Sequence, residues 1–273
     1  MAKKIEISES LGQLIINLYE KGLPHLKIGK ELQLSKTKVS RYLKSKGIKA
    51  RSLDVSHRIF PLDTNYFNVI DSPIKSYILG FFYADACNHS NTNQVSFELQ
   101  EKDKYIIEKV SDEIHFCKRP LSIIKKREDT HQYRYRLLIT SKQISEDLER
   151  LGCTPNKSLT LKFPTEEQVP DELLSHFIRG YFDGDGCIHS RECAHGIQVT
   201  FNVLGTKEFI ETLQIIFENK CQIQRKQKLF KRNNVWSLTY GNKKDLKNIE
   251  DFLYKDCTDF FLTRKRIKFE LIK

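Results

Sequence analysis

Asp85 and Asp185 stand one hundred residues apart, near the ends of two versions of one stretch. The second version reads Phe177-Ile178-Arg179-Gly180-Tyr181-Phe182-Asp183-Gly184-Asp185-Gly186, and the first Tyr77-Ile78-Leu79-Gly80-Phe81-Phe82-Tyr83-Ala84-Asp85-Ala86. The likeness continues beyond the acids, where Cys87 and His89 recur as Cys187 and His189. Self-similarity of this kind marks an internal repeat. The chemistry on offer is that of paired carboxylates. Brought together beside negative helix ends, two such charges are unfavourable without a cation. A divalent ion with oxygen ligands, most simply Mg²⁺, resolves the conflict.

The elements that must bring the acids together follow from the small residues. Gly80 and Ala84, like Gly180 and Gly184, lie four apart and so share one helix face. Small residues on a face let two helix backbones approach closely. Phe81, Phe82, Tyr181 and Phe182 cover the other faces. The spacing predicts two packed helices with C-terminal ends side by side and Asp85 near Asp185.

The segments after each motif are also repeated. In the first half an alternating segment, Gln94–Leu99, reads as a strand. A helix with Tyr105, Ile106, Val110 and Ile114 on one face comes next. Strand candidates at Leu121–Lys126 and Gln132–Ile139 precede a helix through Ile144, Leu148 and Leu151. The second half gives Gln198–Val203, a helix around Phe209, Leu213 and Phe217, strands at Ile223–Phe230 and Val235–Tyr240, and a helix through Leu246, Ile249 and Leu253. With a weakly marked partner strand after each motif, each half is αββαββα. Residues 73–273 are thus expected to form a pseudo-two-fold α+β domain with antiparallel sheets, its halves about 73–165 and 166–273. Arg134 and Arg136 share a strand face, just after Lys125, Lys126 and Arg127. The second half has Arg225-Lys226-Gln227-Lys228 and then Lys231-Arg232. Two basic ribbons at matching places in a repeat suit the major groove of DNA.

Residues 1–50 read as a separate, small, all-α domain. Ser8 is placed to cap a first helix that stops at Gly22, a second covers Leu26 to Leu32, and Ser35 caps a third that ends at Gly47. The string Ile28-Gly29-Lys30-Glu31-Leu32-Gln33-Leu34-Ser35-Lys36-Thr37-Lys38-Val39 resembles the helix-turn-helix of resolvase-like and repressor-like DNA-binding domains, with Gln33 where the usual turn glycine stands. Val39 and Leu43 point inward. Lys36, Lys38, Arg41 and Lys44 lie on the outer face, as a recognition helix with phosphate contacts alongside requires. Residues 51–72 have no clear period and read as a linker or basic arm.

The chain of 273 residues has a net charge of +11, an argument for a polyanionic partner. Nucleic acid is the first candidate and an acidic membrane surface the second. No run approaches the roughly 18 apolar residues of a membrane span, and no apolar signal region follows the basic N-terminus. A soluble intracellular protein is expected, in cytoplasm or in an organelle or nucleoid. Seven cysteines, none spaced as C-x₂-C, indicate neither a disulfide framework nor a zinc site and read mostly as small buried residues.

The two motifs resemble the LAGLIDADG motif of homing endonucleases, and the resemblance covers residues 73–273. The first copy departs from the pattern at Tyr83, where the family's first acid usually stands, and at Ala86, where its glycine stands. The acid that the family uses for metal is kept in both copies. The resemblance implies a Mg²⁺-dependent endonuclease acting on double-stranded DNA, with Asp85 and Asp185 holding metal. Each site would cut one strand across the minor groove to give a double-strand break. It also implies basic side chains near the acids: Lys157, Lys265 and Lys102 are the candidates, as catalytic groups or as plain phosphate contacts. The site corresponding to Lys102 reads Leu204-Gly205-Thr206, with Lys207 one step later, so the two sites are expected to be unequal; the departures at Tyr83 and Ala86 make a nicking enzyme a variant of this reading. One chain supplies both acids, so a monomer with no obligate protein partner is expected. The alternatives are a non-cleaving transcription regulator built on the same fold, whose members tend to lose the acids, and an RNA maturase. The chain closes on Leu271-Ile272-Lys273 without a terminal His-Asn, which argues against an intein.

Overall fold

The computed structural model describes residues 7–49, 60–124, 133–194 and 196–272. The chain forms two units, residues 1–64 with 111–120 and residues 65–110 with 121–273.

The first unit is helical. Helix α1 (Glu9–Glu20) begins at Ser8, whose hydroxyl accepts from the Leu11 amide at 3.3 Å, and stops at Gly22 with φ +92°. Helices α2 (His25–Glu31) and α3 (Lys36–Ser45) follow, α3 capped by Ser35 at 3.2 Å. Between them Gln33 takes φ +53°, the left-handed conformation for which glycine is the usual choice. A side chain on Gly29 would strike the Leu34 carbonyl, so that glycine sets how tightly the α2–α3 turn closes. Ile15, Tyr19, Ile28, Leu34, Val39 and Leu43 make the core. A single bridge, Leu62 to His115, ties the later segments of this unit.

The second unit is a repeat. Helix α4 (Pro73–Asp85) starts at Ser72, whose hydroxyl accepts from Lys75 N at 3.3 Å, with proline at the first helical position. It runs directly into β1 (Ala86–His89), then β2 (Gln94–Gln100), α5 (Lys104–Ile114), β3 (Ser122–Ile124), β4 (Arg134–Thr140) and α6 (Lys142–Arg150). The second half repeats the order as α7 (Leu174–Asp185), β5 (Gly186–Cys193), β6 (Gly196–Gly205), α8 (Lys207–Lys220), β7 (Phe230–Arg232), β8 (Val235–Tyr240) and α9 (Lys243–Tyr254). A short α10 (Thr263–Arg266) follows. The sheets are antiparallel, in orders β1-β2-β4-β3 and β5-β6-β8-β7. The αββαββα reading of each half holds, and β1 and β5 are the weakly marked strands.

Helices α4 and α7 pack backbone to backbone. A side chain on Gly80 would collide with the Phe177 carbonyl, and one on Gly180 with the Tyr77 carbonyl. Each helix also covers the inner face of its own sheet. Phe81 and Phe82 both lie 5.0 Å from Phe97, centroid to centroid, and Phe182 stacks on Phe201 at 4.5 Å. All five rings are fully buried, and truncating any of them to alanine costs about 3–5 kcal/mol.

Three expectations are corrected. The strand expected over 223–230 is confined to Phe230–Arg232. Gln224 to Lys228 offer no alternating apolar residues to bury, and pairing begins only where the chain turns at Asn233, φ +53°, to meet β8. The strand expected over 121–126 is Ser122–Ile124; Lys125, Lys126 and Arg127 lie outside the described residues, as do residues 51–59 of the arm expected over 51–72. Only Cys153 and Cys221 are buried, whereas Cys87, Cys187 and Cys193 are exposed, because strand alternation puts them on the outer sheet faces. No helix among the described residues is long and apolar enough to cross a membrane.

The backbone contact predicts a sharp intolerance. Gly180→Ala should lower stability by about 3 kcal/mol or more, since the obstacle is main chain and cannot rotate away. Urea unfolding would read this directly; a midpoint within error of the parent would contradict the contact.

Candidate active site

The glycine contact places the ends of α4 and α7 together. Asp85 and Asp185 are the last helical residues, and Gly184 faces Ala84 between them; a side chain on Gly184 would lie 3.0 Å from an Asp85 carboxylate oxygen. Both carboxylates reach solvent, yet protein atoms crowd them closely enough to strip much of their hydration. This desolvation pushes both up to about 6, and the charge of Asp85 adds to the rise at Asp185.

Two buried lysines answer the acids. Lys157, in a 3₁₀ turn at Lys157–Leu159, donates to the carbonyl of Ala86, just past the end of α4. Lys265, in α10, donates to Phe182 O at 2.6 Å, Asp183 O at 2.7 Å and Gly186 O at 2.5 Å, around the end of α7. Each ammonium thus meets the negative end of the motif helix of its own half. Their charges act crosswise. Lys265 is the strongest cation on Asp85, and Lys157 acts on Asp185 more than Lys265 does. Burial lowers Lys265 to about 8, with Asp183 and Asp85 opposing the fall. All three of its N–H donors are occupied by main-chain carbonyls, so in this geometry it works through its charge.

The structure therefore brings together Asp85, Asp185, Lys157 and Lys265. Lys102 is exposed on the turn Glu101–Asp103 and is not among the charges that act most on either acid. A hard divalent cation fits the pair: oxygen donors, mutual repulsion, and room beside Asp85 that depends on the bare Gly184. Among the described residues no group of three or more His, Cys, Asp or Glu side chains gathers to hold a metal. A cation here would be held by the two carboxylates, with water and substrate oxygens completing its shell.

Several residues around the site carried only a weak signal in the sequence. Asp183, the other acid of the second motif, is buried away from the site, accepting from Tyr77 Oη at 2.8 Å and Leu262 N at 2.8 Å. Tyr83, its counterpart, is also buried and donates to Leu151 O. Both positions pin a motif helix to neighbouring chain. Arg179 is fully buried, bonded to Leu253 O at 2.9 Å and Phe260 O at 3.1 Å and lying over the Tyr77 ring. It also donates to His176 Nδ1 at 2.9 Å, which fixes the imidazole proton on Nε2. Burial and Arg179 push His176 down to about 4, so it stays neutral. A charge inside an apolar motif was the available clue.

On the outer sheet faces, Arg134 and Arg136 do share a face of β4. Glu98, opposite Arg136 on β2, pairs with Arg136 and lies 3.9 Å from Arg134. Arg225 and Lys228 are exposed on the irregular segment before β7. In α3, Lys36, Arg41 and Lys44 are exposed and Lys38 is half-buried.

Residues 172–253 match the family model of the LAGLIDADG-like domain. The second half thus carries a LAGLIDADG-like domain. The first half repeats the element order and sheet order of this LAGLIDADG-like domain. A 101-residue segment is 35% identical to the probable translation initiation factor IF-2 of Methanocaldococcus jannaschii, covering 35% of this chain and 8% of that protein. The match thus spans less than a tenth of that relative's length. Among solved structures, the chain is similar to the I-SmaMI LAGLIDADG homing endonuclease bound to cleaved DNA (13% identity, TM-score 0.45, 74% of this chain and 88% of that one). It is also similar to the LAGLIDADG meganuclease I-AabMI bound to uncleaved DNA (12% identity, TM-score 0.43, 68% and 84%).

The coupling of the acids can be read in metal-free protein by carboxyl-carbon NMR. Both raised acids should take up protons as pH falls through about 6, well before a free aspartate does. Asp85→Asn should move the Asp185 midpoint down, because it removes a like charge. Lys265→Met should move the Asp85 midpoint up, because it removes a cation. An Asp185 midpoint indifferent to Asp85→Asn would show that the carboxylates do not sense each other.

Proposed function

We propose that the protein is a site-specific DNA endonuclease that makes a metal-dependent double-strand break at a long target site, acting as a monomer. The observation that carries this reading is the pair of carboxylates at abutting helix ends, each helix end met by a buried lysine of its own half. Asp85 and Asp185 would hold Mg²⁺ or a similar ion, which when bound supplies charge neutralisation at a phosphoryl oxygen and a more acidic water. The lysines add positive potential where the scissile phosphates gain charge, in surroundings dry enough to strengthen it. The likeness of the two halves supports one cut per strand.

Duplex DNA fits the rest of the surface. The outer sheet faces present Arg134 and Arg136 on one side. On the other, Asn202 of β6 bonds to Thr239 of β8 at 2.6 Å, both half-buried, and Arg232 of β7 is exposed. Amides, hydroxyls and guanidinium forks are the groups that read base edges in the major groove. Helix α3 supports a second contact through Lys36, Lys38, Arg41 and Lys44.

The test begins with duplexes selected from a random library, followed by Mg²⁺ and mapping of breaks. Breaks on both strands are expected, abolished by Asp185→Asn while salt-sensitive binding remains. A fully active Asp185→Asn protein would sink the assignment. Tight binding without a break in Mg²⁺ or Mn²⁺ would assign the protein to the regulators instead. In the same assay, Arg41→Ala with Lys44→Ala should weaken binding on all sequences alike and flatten the log–log salt dependence by about 1 for every phosphate left without its cation. An unchanged slope would remove α3 from the interface.

A further inference from the structure

Each buried lysine is carried by a segment that straddles the two halves. Lys265 is bonded to the end of α7, but its neighbours grip the first half. Arg264 makes a two-pronged ion pair with Asp103, Nε to Oδ1 at 2.9 Å and Nη2 to Oδ2 at 2.9 Å. The Tyr105 hydroxyl accepts from Thr263 N at 2.7 Å and donates to Phe261 O at 3.1 Å. The first-half segment does the converse. Lys157 is bonded to the end of α4, while the carbonyl of Leu161, four residues on, accepts from the Thr206 hydroxyl of the second half at 2.6 Å. Asp103 and Thr206 each immediately precede the first helix after the second strand of their half, so they occupy equivalent places. One grips with a charge and the other with a hydroxyl. Asp103 is only 4% exposed, so its carboxylate depends on Arg264 for its partner.

We propose that Asp103 and Arg264 are positioning residues: their ion pair across the halves seats Lys265 at the paired helix ends and so sets the activity of one of the two strand-cutting sites. The activity part rests on the endonuclease reading; the seating part does not. A guanidinium forked onto a buried carboxylate is strongly orienting, since breaking the pair leaves a charge without a partner in a dry place. Arg264 is the residue next to Lys265 in a four-residue helix, so its two-pronged grip fixes the lysine's backbone directly. Among the described residues, nothing comparable in charge holds Lys157. The ion pair nearest to it in the chain, Lys162 with Glu208 at 3.7 Å, is exposed on both sides and contributes little. The two lysines are therefore held by unlike means, and one of them can be released selectively.

The experiment is amine acylation of the full-length protein, read by mass spectrometry at Lys265 and Lys157 in parallel, with plasmid cleavage on the selected target alongside. In the parent protein both lysines should be protected. In Asp103→Asn and in Arg264→Gln, labelling of Lys265 should rise by about tenfold or more, as its segment opens locally, while Lys157 stays protected. Asp103→Glu, which keeps the charge, should restore protection in part. On the plasmid, both neutral variants should leave nicked circles where the parent gives linear product, with DNA affinity unchanged. Equal protection of Lys265 in parent and variants would overturn the seating role. Labelling of both lysines alike would overturn it too, since that marks a general loosening. Seating lost but linear product unchanged would overturn the effect on one site. A parent that labels as expected but never cuts DNA would instead defeat the endonuclease reading and leave the seating result standing.

Discussion

The structure depends on how closely two backbones can approach. Gly80 and Gly180 meet main-chain carbonyls of the opposite helix, and Gly184 meets Ala84 one turn later. At Gly80 and Gly180 the nearest atoms across the contact are all main chain, so there the helix axes are fixed by peptide groups and not by adjustable rotamers. The last residues of both helices are thereby held side by side, and those residues are the acids. The sheets are hung from the outside of the same pair through Phe81, Phe82 and Phe182. One steric constraint accordingly sets both the spacing of the carboxylates and the placement of the two strand faces relative to them.

Bringing two negative helix ends and two carboxylates together has an electrostatic cost, and the fold offsets it locally. Lys157 and Lys265 donate to the carbonyls left over at the helix ends, and each acts across the gap on the other half's acid. The charge set is interleaved between the halves: an acid of one half depends on a lysine of the other. Removing either half would leave buried cations as well as exposed acids. The positions before the acids show how much freedom remains. Asp183 and Tyr83 differ completely in charge, yet each uses a side-chain oxygen to hold a motif helix in place.

Much of this was legible in the residues. The four-residue spacing of small side chains gave the helix contact, the repeat gave the two equivalent halves, and alternation gave the strands that bury one face. The buried lysines Lys157 and Lys265 were found because each follows the last helix of its half. Other features were hidden for physical reasons. Residues 224–228 are basic enough to suggest a groove-binding strand, but basicity says nothing about pairing, and without alternating apolar residues the chain stays irregular. The role of Asp103 depends on Arg264, more than a hundred and fifty residues away, and no local pattern announces a contact of that range. Glu98 reads as one polar residue of a strand; only the register against Arg136 reveals that it engages the arginines. Lys102, adjacent to Asp103, shows how a shift of one residue on a short turn separates an exposed cation from a buried anion.

Both motif helices belong to one polypeptide, and this alters what the interface can tolerate. In a symmetric pair of identical chains every substitution at the contact appears twice and faces its own copy across the axis. Here each appears once. Ala84 can oppose Gly184, and Tyr83 can take the place that Asp183 fills in the other half, without a second bulky or second bare residue to accommodate. The tether also makes the meeting of the helices a unimolecular event, governed by the effective concentration of one half around the other and insensitive to dilution. The two halves are thus free to drift apart in sequence, strand face by strand face, while the glycine contact keeps them in step.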